Sequence, residues 1–291
     1  MKKAKDMLNK RRTVPERLFF MLMFLFLTIW GLIVCYMMFW AIVSALKTNL
    51  EYLNAPLAFP EVPQFGNFKV AMDKLYYNNV GFFGMLFNSL WYAGLGAGMS
   101  TFWVCILGYV FAQYNFKGKE FLFNTLILTL IIPLFGNLPA TYKLIYDLHL
   151  NDSYFYIIVM SIGGFNANLL ITNGYYKGIP REYRESVYMD GGNDFVAYFK
   201  VYMPMGRSVF SALFLLNFIA KWNDYLTPIL YLDKMPGLST GLYIFQQEIQ
   251  YVANNPAYFA GAIILMFPVV LLFICFQDKI MGQLHSGGLK G

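Results

Sequence analysis

The feature that most constrains this chain is the uncharged apolar run from Leu18 to Leu46, which is 29 residues long. A helix of that length measures about 43 Å, whereas the hydrocarbon core of a bilayer is about 30 Å thick. The run follows a basic segment, 1–17, as a signal peptide would, but it exceeds the roughly 7–15 apolar residues of such peptides. We therefore interpret it as a first transmembrane helix that is not cleaved.

Five further apolar stretches follow this run, in a chain with 58% hydrophobic and 13% charged residues. Soluble domains carry about 25% charged residues. Because backbone groups in a bilayer must bond within the protein, helices are expected for such stretches. The sequence thus predicts an all-α integral membrane protein with a basic cytoplasmic segment 1–17 and a transmembrane domain 18–291. Its six transmembrane helices are expected at about 18–46, 86–113, 121–142, 154–176, 205–232 and 257–276.

The positive charges are divided unevenly between the two sides of the predicted membrane domain. Sixteen of the 22 Lys and Arg residues lie in segments on the same side as both termini, five lie on the other side, and Lys221 falls inside a span. Cytoplasmic segments carry the excess of Lys and Arg in membrane proteins. Both termini and the loop 177–204 are therefore predicted in the cytoplasm. The net charge of +6 then reflects topology rather than nucleic-acid binding.

The sequence contains no pattern typical of a catalytic, metal or nucleotide site. Cys35, Cys105 and Cys275 lie in apolar runs, without the spacing of a disulfide framework or a metal site. No GxxxxGK[ST] motif offers a phosphate cradle for ATP, and no Ser-His-Asp or paired-carboxylate arrangement is present. We therefore expect no catalytic residue, no metal and no cofactor bound by this chain.

A charged island, Arg181–Pro204, interrupts the apolar sequence between the fourth and fifth predicted spans. Pro180 suits the first position of a helix, because its missing N–H would have no partner there. Gly191 suits the left-handed position that ends a helix. Asn193 or Asp194 can then cap a second helix, which Pro204 ends. The island therefore predicts a cytoplasmic helix-turn-helix.

The spacing within this island resembles the signature loop of ABC importer permeases. That loop reads Glu-Ala-Ala, three residues, Gly, nine residues, then Ile-x-Leu-Pro. Here Glu185-Ser186-Val187 is followed by Gly191 and then by Val201-Tyr202-Met203-Pro204 at the same intervals, although Ser, Val and Met replace two alanines and the leucine. Asp190-Gly191 matches the carbohydrate branch. The chain thus resembles a maltose-type permease subunit, a binding-protein-dependent transport system inner membrane component.

This resemblance implies a function, a location and a set of partners. The chain would be one permease subunit of an ATP-driven importer in a bacterial cytoplasmic membrane, moving a sugar or oligosaccharide inward. A second homologous permease, an external sugar-binding protein and a separate ATPase dimer that binds ATP and Mg would complete it. The residues implied to couple to the ATPase are Arg181, Arg184, Glu185, Tyr188, Asp190 and Gly191.

A second polar cluster lies inside the fifth predicted span. Lys221 and Asp224 are three residues apart, so on a helix they share a face and can pair. Ionisable residues at membrane depth usually face a bundle interior or a wet cavity. The run Trp222–Tyr225 is similar to the same span of carbohydrate permeases, which implies a substrate pathway lined by Asn223, Asp224 and Tyr225. A cluster that only stabilises the fold explains the same residues.

Two features of other spans bear on packing. Gly94 and Gly98 form a GxxxG pair, which allows close helix contact. Packing inside one subunit is favoured over a seam between two subunits. Pro133 and Pro139 interrupt the third predicted span, which fits either a pathway-facing break or a packing kink.

Other classes of membrane protein are the alternatives. A secondary, ion-coupled transporter would be expected to show a repeat or paired interrupted half-helices, and the sequence has neither. A membrane-embedded enzyme would need several titratable groups at one depth, where only Lys221 and Asp224 qualify. Neither these classes nor another polytopic protein explains the spacing of the island.

The predicted orientation can be tested by cysteine labelling in a background that lacks the three native cysteines. Asn193→Cys should react with a membrane-impermeant reagent only after the cells are permeabilised, because the island is expected inside. Glu61→Cys, in the segment between the first two spans, should react in intact cells. Labelling of Asn193→Cys from outside would contradict the topology.

Overall fold

The computed structural model describes residues 14–131, 138–252 and 254–281. In these ranges the chain is helical, with one isolated bridge between Tyr77 and Val80 and no strand. This confirms the predicted all-α class for the described residues. Most of the basic segment 1–17 and the predicted interruption at Pro133 lie outside them.

The helices are numbered here in chain order. The first part of the chain forms α1 Val14–Ala45, α2 Asn49–Asn54, α3 Gly66–Lys74, α4 Phe82–Gln113, α5 Lys119–Ile131, α6 Leu138–Asp147, α7 Phe155–Ser161 and α8 Ala167–Lys177. The second part forms α9 Glu182–Met189, α10 Asp194–Met205, α11 Arg207–Trp222, α12 Leu226–Tyr231, α13 Leu238–Val252 and α14 Asn255–Met281.

Three of the described helices, α1, α4 and α14, are long and apolar enough to cross a membrane alone, and α10 with α11 makes a fourth candidate that is bent by 75°. The predicted third span contains α5 and α6, on either side of residues 132–137, which lie outside the described ranges. In the predicted fourth span, α7 and α8 are separated by 162–166. The expected continuous fourth helix is therefore wrong. Its break contains Gly163 and Gly164, which disfavour helix, and Asn166 caps α8 by accepting from the N–H of Asn168 at 3.0 Å. The total of six spans stays a prediction.

Helix α4 lies at the centre of the packing. It contacts α7, α8, α11 and α13. Its first half joins an apolar cluster with Leu75, Phe218 and Trp222, and its second half joins an aromatic cluster with Tyr176 and Tyr202. By contrast, α1 is exposed from Val14 to Phe39, is buried only at Val43–Ala45, and packs on α14. An apolar helix that is exposed in this way is suited to contact lipid.

Glycines on α4 allow its neighbours to approach closely, but they are not the predicted pair. A methyl group at Gly96 would lie 2.7 Å from Cδ of Lys221, and one at Gly108 would lie 2.2 Å from Oγ1 of Thr172. A methyl group added at Gly94 or at Gly98 would have no atom within 4 Å apart from the nearby backbone of α4 itself. The expectation that the GxxxG pair packs within the chain is therefore wrong. Two residues correspond to about 200° of helical rotation, so Gly96 lies on the face of α4 opposite to Gly94 and Gly98.

We predict that Gly108→Ala lowers the apparent melting temperature of the purified protein, whereas Gly94→Ala does not. Both changes gain helix propensity equally, so the difference isolates the overlap with Thr172, for which overpacking typically costs about 1–3 kcal/mol. Thermal unfolding in detergent is the measurement. Equal melting temperatures for the two variants would show that α8 can move away from α4 at no cost.

Candidate functional site

The charged island folds into the predicted helix-turn-helix, formed by α9 and α10. Gly191 has a φ of +79°, in the left-handed region that favours glycine. The N–H of Gly191 donates to the carbonyl of Tyr188 at 3.0 Å, and the N–H of Gly192 donates to that of Val187 at 2.8 Å. These two bonds form a Schellman motif. The cap of α10 is Asn193, whose Oδ1 accepts from the N–H of Val196 at 3.0 Å.

The outer limits of the island differ from the prediction at both ends. Helix α9 begins at Glu182, so Pro180 precedes the helix instead of starting it. Helix α10 contains a π-helical stretch, Tyr198–Tyr202, and continues past Pro204 to Met205. It ends at Gly206, where a methyl group would lie 2.7 Å from the hydroxyl of Tyr176. The bend between α10 and α11 therefore depends on close contact with α8.

Arg184, a predicted coupling residue, attaches α9 to the end of α4. Its Nη1 donates to the carbonyl of Gln113 at 2.8 Å. Its guanidinium also lies over the ring of Tyr114, 4.6 Å from the centroid, and over that of Tyr188 at 5.9 Å. Arginine suits this position because it donates in plane and stacks on aromatic faces at once. Arg184 is therefore engaged within the chain.

Asp194 joins the two helices of the island to α4. Its Oδ1 accepts hydrogen bonds from the hydroxyls of Tyr114 and Tyr188. These bonds, first that of Tyr114, hold the pKa of Asp194 below its usual value. The pKa of Tyr188 is raised, chiefly by the hydrogen bond that its own hydroxyl donates to Asp194. The carboxylate therefore stays ionised and both hydroxyls stay protonated near neutral pH.

Gln113, which the sequence analysis did not single out, is the buried connection beneath the island. The side chain is 2% exposed. Its Nε2 donates to the carbonyls of Tyr176 at 2.7 Å and Ile179 at 3.1 Å, and its Oε1 accepts from the hydroxyl of Tyr202 at 3.2 Å. One amide thus links α4, α8 and α10. The only sequence signal was a polar residue at the end of an apolar run.

The remaining predicted coupling residues lie on the outside of the island. Arg181, Glu185, Asp190 and Gly191 are exposed. Within the part of the chain that the structure describes, the three charged side chains make no hydrogen bond or ion pair. Met189, at the end of α9, is 88% exposed. The island therefore has one face fastened to the bundle and one face free to contact another molecule.

The polar cluster after α11 is arranged differently from the prediction. Lys221 and Asp224 do not form an ion pair; the ammonium of Lys221 lies over the ring of Tyr92, 5.5 Å from its centroid. The hydroxyl of Tyr92 donates to Oδ2 of Asp224 at 2.8 Å, and Oδ1 of Asp224 accepts from the N–H of Thr227 at 3.0 Å. Helix α11 ends at Trp222, so helical spacing does not hold between Lys221 and Asp224.

The three predicted pathway residues therefore do not face one way. Asp224 bonds into the protein, whereas Asn223 and Tyr225 are exposed. Nδ2 of Asn223 donates to the carbonyl of Ile219 at 2.9 Å. Tyr225 stacks on Tyr243 of α13, with ring centroids 4.3 Å apart and planes inclined by 15°. The exposed groups form a small aromatic and amide surface beside the half-buried carboxylate of Asp224.

Long apolar helices, together with a helix pair that has a free charged face, define the class: a polytopic membrane protein. The chain belongs to the family of binding-protein-dependent transport system inner membrane components, whose model matches residues 104–281. The predicted family is thus confirmed. In such systems ATP hydrolysis is the task of a separate subunit, and the family implies both an ATPase and a substrate-binding protein. The chain is a multi-pass protein of the cytoplasmic membrane.

Curated relatives are similar over nearly their whole length. The arabinooligosaccharides transport system permease protein AraQ of Bacillus subtilis (strain 168) is 27% identical, with 92% of this chain and 94% of that protein covered. The diacetylchitobiose uptake system permease protein NgcG of Streptomyces coelicolor is 26% identical, covering 91% and 87%. The maltodextrin transport system permease protein MalD of Streptococcus pneumoniae is 25% identical, covering 98% and 100%.

A solved structure has the same fold. It is a chain of a bacterial ABC transporter involved in the import of the acidic polysaccharide alginate, with a TM-score of 0.72 and 21% identity. The match covers 93% of this chain and 99% of that one. The arrangement of helices described above is therefore the fold of an ABC importer membrane subunit.

We predict that Gln113→Leu loosens the island. The change removes three hydrogen bonds and leaves the carbonyl of Ile179 without its donor, at a cost of about 1–3 kcal/mol. The carbonyl of Tyr176 keeps the N–H of Ile179, and the hydroxyl of Tyr202 keeps the carbonyl of Pro180. Amide hydrogen exchange in α9 should accelerate and the melting temperature should fall. Gln247→Leu, at an exposed glutamine, is the matched control. Equal exchange in the two variants would mean that Gln113 does not hold α9 in place.

Proposed function

We propose that α9 is a cytoplasmic coupling helix, through which a separate ATPase drives this permease. The observation that carries the proposal is the division of the island into two faces. Arg184, Tyr188 and Asp194 fasten it to α4, while Arg181, Glu185 and Asp190 carry charge outward without a partner among the described residues. A docking helix must be held rigidly by the rest of its own chain on one face and be accessible to the partner on the other. Helix α9 meets both conditions.

The contacts beneath α9 suggest how motion would enter the bundle. When nucleotide closes the ATPase dimer, a docked α9 moves with it. Since Gln113 bonds to α8 and α10 together, such a shift is transmitted to α4, α8 and the bend before α11 as one body. ATP and Mg would be bound by the ATPase partner, with this chain supplying only the mechanical link.

The proposal includes an orientation. Six spans with both termini, the segment 1–17 and the loop 177–204 in the cytoplasm agree with the sixteen-to-five distribution of Lys and Arg. In this orientation α3, α13 and the exposed side of Asn223 and Tyr225 lie toward the outside. An external solute-binding protein would then deliver its cargo to that side.

The cargo proposed for this chain is a sugar or an oligosaccharide. Support comes from relatives named for arabinooligosaccharides, diacetylchitobiose and maltodextrin transport. A second, homologous permease subunit is proposed to complete the pathway as a heterodimer. Exposed apolar side chains on many of the described helices leave room for such a partner as well as for lipid.

Within that pathway we assign different roles to the three candidate residues. Asn223 and Tyr225 are the groups available for sugar contact, because an amide bonds to hydroxyls and an aromatic face packs against a sugar ring. Asp224 positions this surface by bonding to Tyr92 and to the start of α12. Its buried contacts also fit the alternative, that the cluster only stabilises the fold.

We predict that Glu185→Ala weakens association with the ATPase roughly tenfold, since a charge-assisted bond is worth about 1.5–3 kcal/mol. Uptake of labelled oligosaccharide should fall, and the binding protein should no longer stimulate ATP hydrolysis. Glu61→Ala, at an exposed glutamate on the other side of the membrane domain, is the control for the loss of charge.

Gly191→Val tests the same contact through the backbone. Valine in the left-handed conformation costs roughly 1–2 kcal/mol, although the space around Gly191 is open. Gly118→Val carries the same strain at a φ of +87° outside the island. Only the Gly191 variant should lose the ATPase. Normal copurification and transport by both Glu185→Ala and Gly191→Val would leave the island an ordinary solvated loop.

A further inference from the structure

A cavity of about 310 Å³ opens where α5 begins and α8 ends, near the island but separate from its free face. Phe111 and Phe123 form apolar walls, and the polar lining residues are Lys119, Glu120, Asn124, Asn173 and Lys177. None of these polar side chains is among the residues proposed to couple to the ATPase. The cavity therefore needs its own explanation.

Asn173 is the first sign of a ligand. The residue is 4% exposed, and its Oδ1 is buried without a hydrogen-bond partner among the described residues. Buried side-chain amides nearly always have hydrogen-bond partners, because an unpaired one loses its bonds to water and gains none in the protein. Rotation of the terminal group can present either the oxygen or the NH₂ to a bound molecule. A polar ligand in the cavity would supply the missing partner.

The charge around the cavity indicates an anion. Burial lowers the pKa of Lys119, and the positive charges of Lys177 and Arg181 lower it further, with Glu120 acting in the opposite direction. The ammonium of Lys119 donates to the carbonyl of Tyr114 at 2.8 Å, and that of Lys177 lies over the ring of Phe123 at 5.5 Å. Across the described part of the chain, none of the three cations forms an ion pair. Glu120 lines the same cavity, so the lining side chains Lys119, Lys177 and Glu120 leave a net charge of +1.

The surface that continues from the cavity is apolar. Asn124 lines the cavity, and residues three, four and seven positions further along α5 share its face. They are Ile127, Leu128 and Ile131, with exposures of 37%, 57% and 70%. A polar, positively charged cavity thus lies at the head of an exposed apolar stripe. This arrangement matches a molecule with an anionic head and a hydrocarbon tail.

We propose that this cavity binds the phosphate of an anionic phospholipid headgroup, with an acyl chain along α5. Lys177 and Lys119 supply the charge, and Asn173 supplies a hydrogen bond. The start of α5 lies at the cavity, and the positive end of a helix dipole favours a phosphate. A soluble phosphate ester has the same head chemistry, but it would leave the apolar stripe unused.

Native mass spectrometry of the assembled transport complex, titrated with phosphatidylglycerol and separately with phosphatidylcholine, tests the proposal. Phosphatidylglycerol should bind preferentially, and Lys177→Gln should weaken this binding about fivefold, as expected for one basic residue near anionic lipid. Lys177→Arg should retain it. Lys117→Gln removes the same charge from a neighbouring exposed residue that does not line the cavity, and should bind as the unchanged protein does.

A second variant and a soluble competitor make the result decisive. Asn173→Leu should also weaken phosphatidylglycerol binding, because it removes the amide while leaving the lysines. Glycerol 1-phosphate should not displace the lipid at equal concentration; displacement would assign the site to a soluble phosphate and overturn the lipid. Equal losses in Lys177→Gln and Lys117→Gln would overturn the cavity as the site. Loss of the ATPase from Lys177→Gln with unchanged lipid binding would make it a protein contact instead.

Discussion

The buried amide of Gln113 is the interaction on which the rest of the cytoplasmic end depends. The NH₂ of this side chain donates to carbonyls at the end of α8 and just after it, and its oxygen accepts from the hydroxyl of Tyr202 in α10. The main-chain carbonyl of Gln113 accepts a hydrogen bond from Arg184 of α9. Each paired polar group lowers the cost of holding a charged helix pair against an apolar bundle. Nε of Arg184 is a buried donor at this junction without a partner among the described residues. Tyrosines surround this amide and give the junction both apolar area and hydroxyl partners.

The same principle separates structure from function elsewhere in the chain. Asp224 and Asp194 are both satisfied by tyrosine hydroxyls of neighbouring helices, so each fixes a break between two helices. Glu185 and Asp190 have no such partners in the described residues. Charged side chains that bond to other parts of the chain determine where the helices turn. Charged side chains that are exposed and unpaired are available to other molecules. Arg184, which looks equivalent to Arg181 in the sequence, belongs to the first group.

What the sequence could predict depended on local signals. Gly191 and Asn193 determine the turn between α9 and α10 through their own backbone and side-chain chemistry, so both were predictable from a short window. The membrane class followed from composition and from the length of the apolar runs. Gln113, the role of Gly96 and the separation of Lys221 from Asp224 were not predictable. Each depends on which residue of another helix lies opposite, and hydrophobic periodicity does not specify this.

Helix α8 contacts α4, the bend between α10 and α11, and the cavity at α5, which are far apart in the sequence. Thr172 packs against Gly108 of α4, Tyr176 packs against the bend at Gly206, and Lys177 borders the cavity at α5. Tyr175 holds α10 by donating from its hydroxyl to the carbonyl of Met205 at 2.6 Å. A displacement of α9 therefore cannot leave α8 unmoved, since Gln113 bonds to its last turn. An anionic lipid held beside Lys177, as proposed above, would then stabilise one position of α8. Lipid binding and ATPase docking would in that case act on the same rigid unit.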